Sequence, residues 1–360
     1  MSFLRLRLLL CCGRRPRSPA VKSVLEDDDL LGEILLRLPP QPSSLPRAAL
    51  VCKRWHSLAS DPGFLRRFRR HHRRNPPLLG FFPGGDVLSL VPTLEAPNRV
   101  PPGCFSLQPG DGDRFVSLGC RHGLVPIFNV APNQLLVWDP VTGDQHRLAF
   151  PPWIAKHGEK LVINGAVVRP FREVDHCQVV LTVGVNYDKQ HRRVCACIYS
   201  SETGLWGDLI STPPSSEVFR SDRPTLIVYT AVLAGNSLYW MLTGNFARIL
   251  EFDLGKQSLA LIQVPVHMQE KGLFLIMRAE GGGLRLLLPR DSSIQLWDWK
   301  TDCDGVASWA LGRTIELDRL LSLEIHLESL QFKKLCETDN LCHYHPFESV
   351  YTAGDILHHS

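Results

Sequence analysis

The chain has no Cys-x-x-Cys pair, and its eleven cysteines are odd in number and irregular in spacing. That excludes a disulfide framework. It also excludes a zinc RING, which needs regularly spaced Cys and His ligands. Scattered thiols suit a reducing compartment, so a cytoplasmic and/or nuclear location is expected. There is no Gly-x-Ser-x-Gly elbow, no glycine-rich phosphate loop and no His-Glu-x-x-His, which removes the commonest hydrolase, nucleotide-binding and metalloprotease signatures. No apolar run approaches the ~20 residues that span a bilayer, so no membrane association is expected.

Acid is also missing from residues 1–24, which carry Arg5, Arg7, Arg14, Arg15, Arg17 and Lys22. Arg5 and Arg7 interrupt the apolar stretch that a secretory leader needs. Two readings fit this segment, an organelle transit peptide and a disordered basic leader; residues 1–23 are taken as the second. The whole chain carries a net charge of only +4, so the part beyond its basic runs is slightly acidic. At 360 residues, with a hydrophobic fraction of 44%, it has the length and composition of a globular protein with two domains, or with one large domain and an appendage.

What the chain does have is a helical unit over residues 24–74. Asp27, Asp28 and Asp29 supply carboxylates for a helix N-terminus. Leu30, Ile34 and Leu38, with Leu31 and Leu35 beside them, then form a wide apolar stripe at helical spacing, ended by Pro39 and Pro40. A second helical piece starts after Ser43-Ser44 and carries Ala48, Ala49, Val51, Cys52, Trp55 and Leu58. A third starts at Asp61-Pro62, a cap followed by a first-turn proline, and brings Phe64, Leu65 and Phe68. A unit of about fifty residues buries only about 60% of its extended surface, so it needs a partner or neighbour to cover the remainder.

The ordered trio Leu31-x-Glu33-Ile34-Leu35-x-Arg37-Leu38-Pro39, Leu50-Val51-Cys52-Lys53-Arg54-Trp55 and Asp61-Pro62-x-Phe64 resembles an F-box. Where that family opens with Leu-Pro, this chain has Glu26-Asp27. The resemblance implies docking on the Skp-type adaptor of a cullin-RING ubiquitin ligase. Leu31, Ile34, Leu35, Leu38, Pro39, Val51, Cys52, Trp55 and Phe64 are the candidate adaptor-binding residues. Some must hold the helices together while others face the partner.

Residues 75–78, with Asn75-Pro76-Pro77, read as a linker. From Leu79 the texture is that of a large all-β domain, residues 79–333, with short Val/Ile/Leu/aromatic runs punctuated by Gly, Pro, Asn and Asp. Four stretches are alike: Leu135–Gly143, Ala196–Trp206, Ile249–Gly255 and Ile294–Thr301. Each is an apolar strand ending in an aromatic, then a polar turn and a return strand. The aromatics Trp138, Tyr199, Phe252 and Trp297 recur at roughly 45–60 residues, near the period of kelch-like blades. The repeats resemble the β-propeller found after the F-box in many plant-type F-box proteins, with a pair of β-sandwiches as the competing architecture.

Other clusters carry less. Asp139, Asp253 and Asp298 share a place in the repeat and are expected to form turns. Gly281-Gly282-Gly283 is expected to be a turn too. Cys336, Cys342, His343 and His345 are taken as a fortuitous group, so no metal and no cofactor are expected. The run Arg66 to Arg74 could bind phosphate, but few Asn or Gln accompany it, and a solvated basic helix end explains it without nucleic acid. The ring is expected to close by pairing Leu79–Phe82 or Val87–Leu90 with the last blade, while residues 334–360 form a tail whose part from Glu337 contributes little. The expected function is a non-enzymatic substrate receptor that selects an unknown target protein. The alternative is a propeller hydrolase or carbohydrate/ligand-binding protein with a helical appendage.

Overall fold

The computed structural model describes residues 27–351, apart from 74, 85–86, 102, 131, 152, 154–161, 170–175, 187–191, 213–225, 228–229, 244–247, 266–273, 291–292, 317–323, 327–330 and 334–343. The leader, with most of the residues around Cys336, falls outside these.

The helical unit comprises α1 (Asp28–Leu36), α2 (Ser44–Ala49), α3 (Lys53–Ala59) and α4 (Pro62–His72). Asp27 caps α1 as the acidic start predicts, its Oδ1 accepting the amides of Asp29 at 2.9 Å and Leu30 at 3.2 Å. Asp61 caps α4 through the amide of Phe64 at 2.7 Å, with Pro62 in the first turn. The second expected helical piece is observed as two, because Cys52 is extended (φ −165°, ψ 170°) and breaks the chain between α2 and α3. Leu31, Leu35, Leu36, Leu45, Phe64 and Phe68 form the core of the unit, joined by Val350 from far along the chain.

Among the described residues the remainder is a β-propeller of five blades, each a sheet of three or more antiparallel strands, with two further two-stranded sheets, Leu88–Ser89 with Ser106–Leu107 and Glu324–His326 with Gln331–Lys333. The second to fifth blades are successive sheets over 115–148, 162–211, 226–263 and 275–316. Neighbouring blades share apolar cores. Leu135 and Val137 pack with Val167 and Val179, Val180 and Val194 with Trp240 and Leu250, and Met241 and Ile249 with Leu286 and Leu288. Pairing within a blade is long and regular, as in Gln178–Asn186 against Arg192–Ser200.

The repeated aromatics all lie on the third strand of their blades. After Trp138 the Oδ1 of Asp139 accepts the amides of Val141 (3.0 Å) and Thr142 (3.3 Å), and Gly143 takes φ 78°. After Phe252 the Oδ1 of Asp253 accepts those of Gly255 and Lys256, both at 2.9 Å. These two aspartates are turn-formers. Asp298 is not. Its strand runs on from Ser293 to Thr301, and its carboxylate pairs with Arg285 at 2.6 Å. The turn there is made four residues later, where Asp302 Oδ1 accepts the amides of Asp304 and Val306 and Gly305 takes φ 79°. Gly281-Gly282-Gly283 is a turn as expected, with Gly282 donating to the carbonyl of Ala279 at 2.8 Å.

The first blade corrects the expectation for the tail. The expected first strand, Leu79–Phe82, is observed as Leu78–Pro83 and does take part in closure. Its partner is Tyr344–Glu348, which pairs with it antiparallel as Phe81 with Pro346 and Phe82 with His345. The tail therefore supplies an edge strand of the sheet that also holds Val91–Pro92. Pro346 is tolerated because an edge strand has one side free of ladder bonds, whereas in sequence it reads as a strand breaker. Phe347 and Tyr351 are fully buried, and Phe347 stacks edge-to-face on Phe82 and Phe105. A fragment ending near Leu330 thus lacks a structural strand.

Truncating the chain before Tyr344 is expected to abolish soluble folded protein, measured by expression and circular dichroism. Phe347→Ala should cost about 3–5 kcal/mol, read as a lowered denaturation midpoint. Wild-type stability of the truncated chain would contradict this closure.

Candidate functional site

The helical unit divides the candidate residues by burial. Leu31, Leu35 and Phe64 are in its core, and Leu38 and Trp55 are half-buried against that core. Ile34, Pro39, Val51 and Cys52 are exposed. Two further apolar residues lie on the outer side, Leu30 from the stripe and Leu50 from the motif, which the sequence reading left out of the candidate set. Leu30, Ile34, Leu50 and Val51 are 46%, 41%, 85% and 62% exposed. Leu30 and Ile34 stand one helical turn apart, so they share a face of α1. Arg54 binds Asp28 at 2.7 Å, which brings the start of α3, just after Leu50-Val51-Cys52, beside the start of α1. Glu33 accepts Arg67 from α4 at 2.8 Å. Both ion pairs are exposed and contribute little stability, but they fix orientation.

The helical unit rests on the propeller through polar contacts as well as Val350. Asn98 Oδ1 accepts both the amide (3.1 Å) and the hydroxyl (2.7 Å) of Ser43, and Arg73 Nη2 donates to the carbonyl of Arg169 at 3.2 Å. The basic run of α4 therefore splits. Arg66, Arg67 and Arg70 are exposed, as a solvated helix end should be, while Arg69 and Arg73 are half-buried toward the propeller.

A channel of about 610 Å³ runs among the inner strands of the blades, lined by Ala166, Ala231, Ile276 and His345, among others. Arg121 spans it, its Nη2 donating to the carbonyl of Ala231, 110 residues away, at 2.6 Å. Burial pushes the Arg121 guanidinium down to about 10, with nearby Cys120 and Glu348 opposing that fall. Burial pushes the Cys120 thiol well up, which leaves it protonated and unreactive. Next to Arg121, His122 and Gly123 take φ 55° and 74° in a tight turn whose ends, Arg121 and Leu124, bond each other twice at 3.0 Å. This is the two-residue hairpin geometry in which both central residues are left-handed. His345, the described member of the Cys336 group, is a buried residue of the closing strand, and no metal-holding cluster exists among the described residues. Nor is any described helix long and apolar enough to cross a membrane.

Comparison with known proteins bears on both parts. A family profile described as F-box-like matches residues 28–71, the span of α1 to α4. Another, described as "F-box protein AT5G49610-like, beta-propeller", matches residues 117–341, most of the blades. The chain belongs to this F-box protein family. An F-box/LRR-repeat/kelch-repeat protein of Arabidopsis thaliana is 25% identical over 307 residues, covering 82% of this chain and 78% of that protein. A second Arabidopsis thaliana F-box protein is 24% identical over 255 residues, or 67% of this chain, which in turn spans 58% of that relative's length. In this F-box protein the profile begins at Asp28, the first residue of α1 after the Asp27 cap.

The junction of F-box and propeller has a pH signature. Burial holds His122 down to about 4, and Arg121, Arg73 and Arg169 add to the shift. A histidine whose folded value lies below its ordinary 6.5 binds its proton more tightly when unfolded. Its neutral form therefore costs nothing above that value, and stability is lost as pH falls from 6.5 toward 4. His122→Asn keeps a residue that tolerates the left-handed turn. Thermal melts across that window should show a shallower fall for the variant, and identical slopes would contradict this assignment.

Proposed function

We propose that this F-box protein is a non-enzymatic substrate-recognition subunit of an SCF-type ubiquitin ligase. The F-box docks a Skp-type adaptor, and through it a cullin. The propeller binds the protein to be modified, and transfer takes place on other subunits by proximity. The observation that carries this reading is the set of apolar side chains left outward on a helical unit whose own core is already filled. Apolar side chains grouped on one face of a small unit mark an interaction surface. A helix-in-groove or helix-on-helix partner would bury Leu30, Ile34, Leu50 and Val51 together. Leu31, Leu35 and Phe64 act indirectly, by holding that surface in shape.

The two groups separate experimentally. Ile34→Glu with Val51→Glu should keep the melting temperature within a few degrees of wild type, since exposed substitutions cost little, and should lose co-purification with the adaptor. Leu31→Ala should instead lower stability by about 2–5 kcal/mol while the protein that remains folded still binds. Retention of the adaptor at wild-type levels by the outward double variant would refute the docking surface.

A further inference from the structure

Two opposite charges face the central channel without meeting. Arg121 follows the inner strand Phe115–Ser117 of the second blade, and Glu348 ends the closing strand of the first. Close packing sets these two neighbourhoods side by side, since a Cβ on Gly123 would lie 2.9 Å from the Oγ of Ser349. Among the described residues the Arg121 guanidinium makes one hydrogen bond, to the carbonyl of Ala231, and its other N–H groups are left to the channel. Glu348 accepts no hydrogen bond from a described side chain or amide, and it stands farther from Arg121 than an ion pair. Its carboxylate is accessible to water yet walled by protein. Burial lifts the Glu348 carboxyl above the usual carboxylate range, against the pull of Arg121. Opposite charges held apart in such a site are neither fully solvated nor fully paired. Of the other cations lining the channel, Arg73 is bonded to the carbonyl of Arg169, and Arg278 is exposed on the fifth blade. The walls beyond the pair are apolar, with Ala231 from the fourth blade and Ile276 and Met277 from the fifth. A cavity of about 610 Å³ with apolar walls and a few fixed polar groups has the make-up of a small-ligand site.

We propose that the channel binds a free α-amino acid with an apolar side chain. The ligand's carboxylate takes the N–H groups of Arg121 that face the channel, in charge-assisted bonds, and its ammonium donates to Glu348. Its side chain lies along Ala231, Ile276 and Met277, where the flexible thioether adapts to its shape. A zwitterion suits this pair because it brings both charges at once. A plain carboxylate would be opposed by Glu348, and a plain amine by Arg121. The bound molecule touches inner strands of several blades, so it fastens the ring from within. None of these residues lies on the outward face of the F-box, so the site stands or falls apart from adaptor docking.

The test uses the full chain without adaptor. Thermal melts at neutral pH compare L-phenylalanine, 3-phenylpropanoate and 2-phenylethylamine at matched ionic strength, and calorimetric titration gives their affinities. Near ten times its Kd, phenylalanine should raise Tm by roughly 2–4 °C. Each singly charged analogue should bind about ten-fold more weakly. Glu348→Gln, at an exposed position of an edge strand, should stay folded and bind phenylalanine about ten-fold more weakly, while holding 3-phenylpropanoate at least as well as wild type does. Arg121→Gln should show the mirror preference, for the amine. If that variant fails to fold, the three compounds on wild type and Glu348→Gln decide the matter. A parallel loss of all three ligands in Glu348→Gln would mark a structural role and overturn the pairing. No melting shift or heat with phenylalanine, equal affinity for the three compounds, or unchanged phenylalanine binding by Glu348→Gln would leave only water between the two charges, and would overturn the site.

Discussion

Pairing between Tyr344–Glu348 and Leu78–Pro83 is the constraint on which the other features rest. An open row of blades presents unpaired strand edges, and such edges template aggregation unless they are covered. Here the two ends of the β-domain meet in one sheet, so the first blade exists only when residues about 265 apart in sequence are brought together. Long-range pairing of this kind forms late, because its loop-closure entropy is offset only once the intervening blades are in place. The same tail then does two more things. Tyr351 enters the core shared by the first two blades, and Val350 enters the F-box core. Closure of the ring and seating of the F-box are thus coupled through the five residues beyond Pro346, Phe347 to Tyr351.

That seating explains how one small helical unit can serve two masters. Leu31, Leu35, Phe64 and Phe68 close its interior against Val350, and Ser43 and Arg73 tie it to the propeller by hydrogen bonds. With its inner side satisfied, the unit can leave Leu30, Ile34, Leu50 and Val51 outward without collapsing onto itself. A free F-box of this length would be marginal. Held on the propeller, it presents a fixed apolar face.

Much of this was legible in sequence because it rests on local rules. Asp27 and Asp61 announce helix starts, Pro39 announces a stop, and the Asp139 and Asp253 turns follow from carboxylates that accept amides two and three residues on. What was not legible depends on tertiary position. Asp298 has the same local neighbours as the turn aspartates, yet Arg285 on the adjacent strand captures it and the turn moves to Asp302. Pro346 looks like a breaker until the strand is known to lie at an edge. Burial within the F-box follows the same logic. Ile34 and Leu35 are neighbours of similar hydrophobicity, and only the packing of α4 and Val350 decides that one is hidden and the other shown. The arginine run reads as a solvated helix end, and only the blade beneath it turns Arg69 and Arg73 toward a seam.

Hydrogen exchange of the full chain, with and without a purified Skp-type adaptor, tests the central claim most directly, since it reports where a partner lands without altering the protein. Added protection should fall on amides around Leu30–Pro39 and Leu50–Trp55, while Leu78–Pro83 and Tyr344–Glu348 exchange as before. Unchanged exchange across α1 to α3, or protection confined to the blades, would contradict an F-box that docks through its outward face.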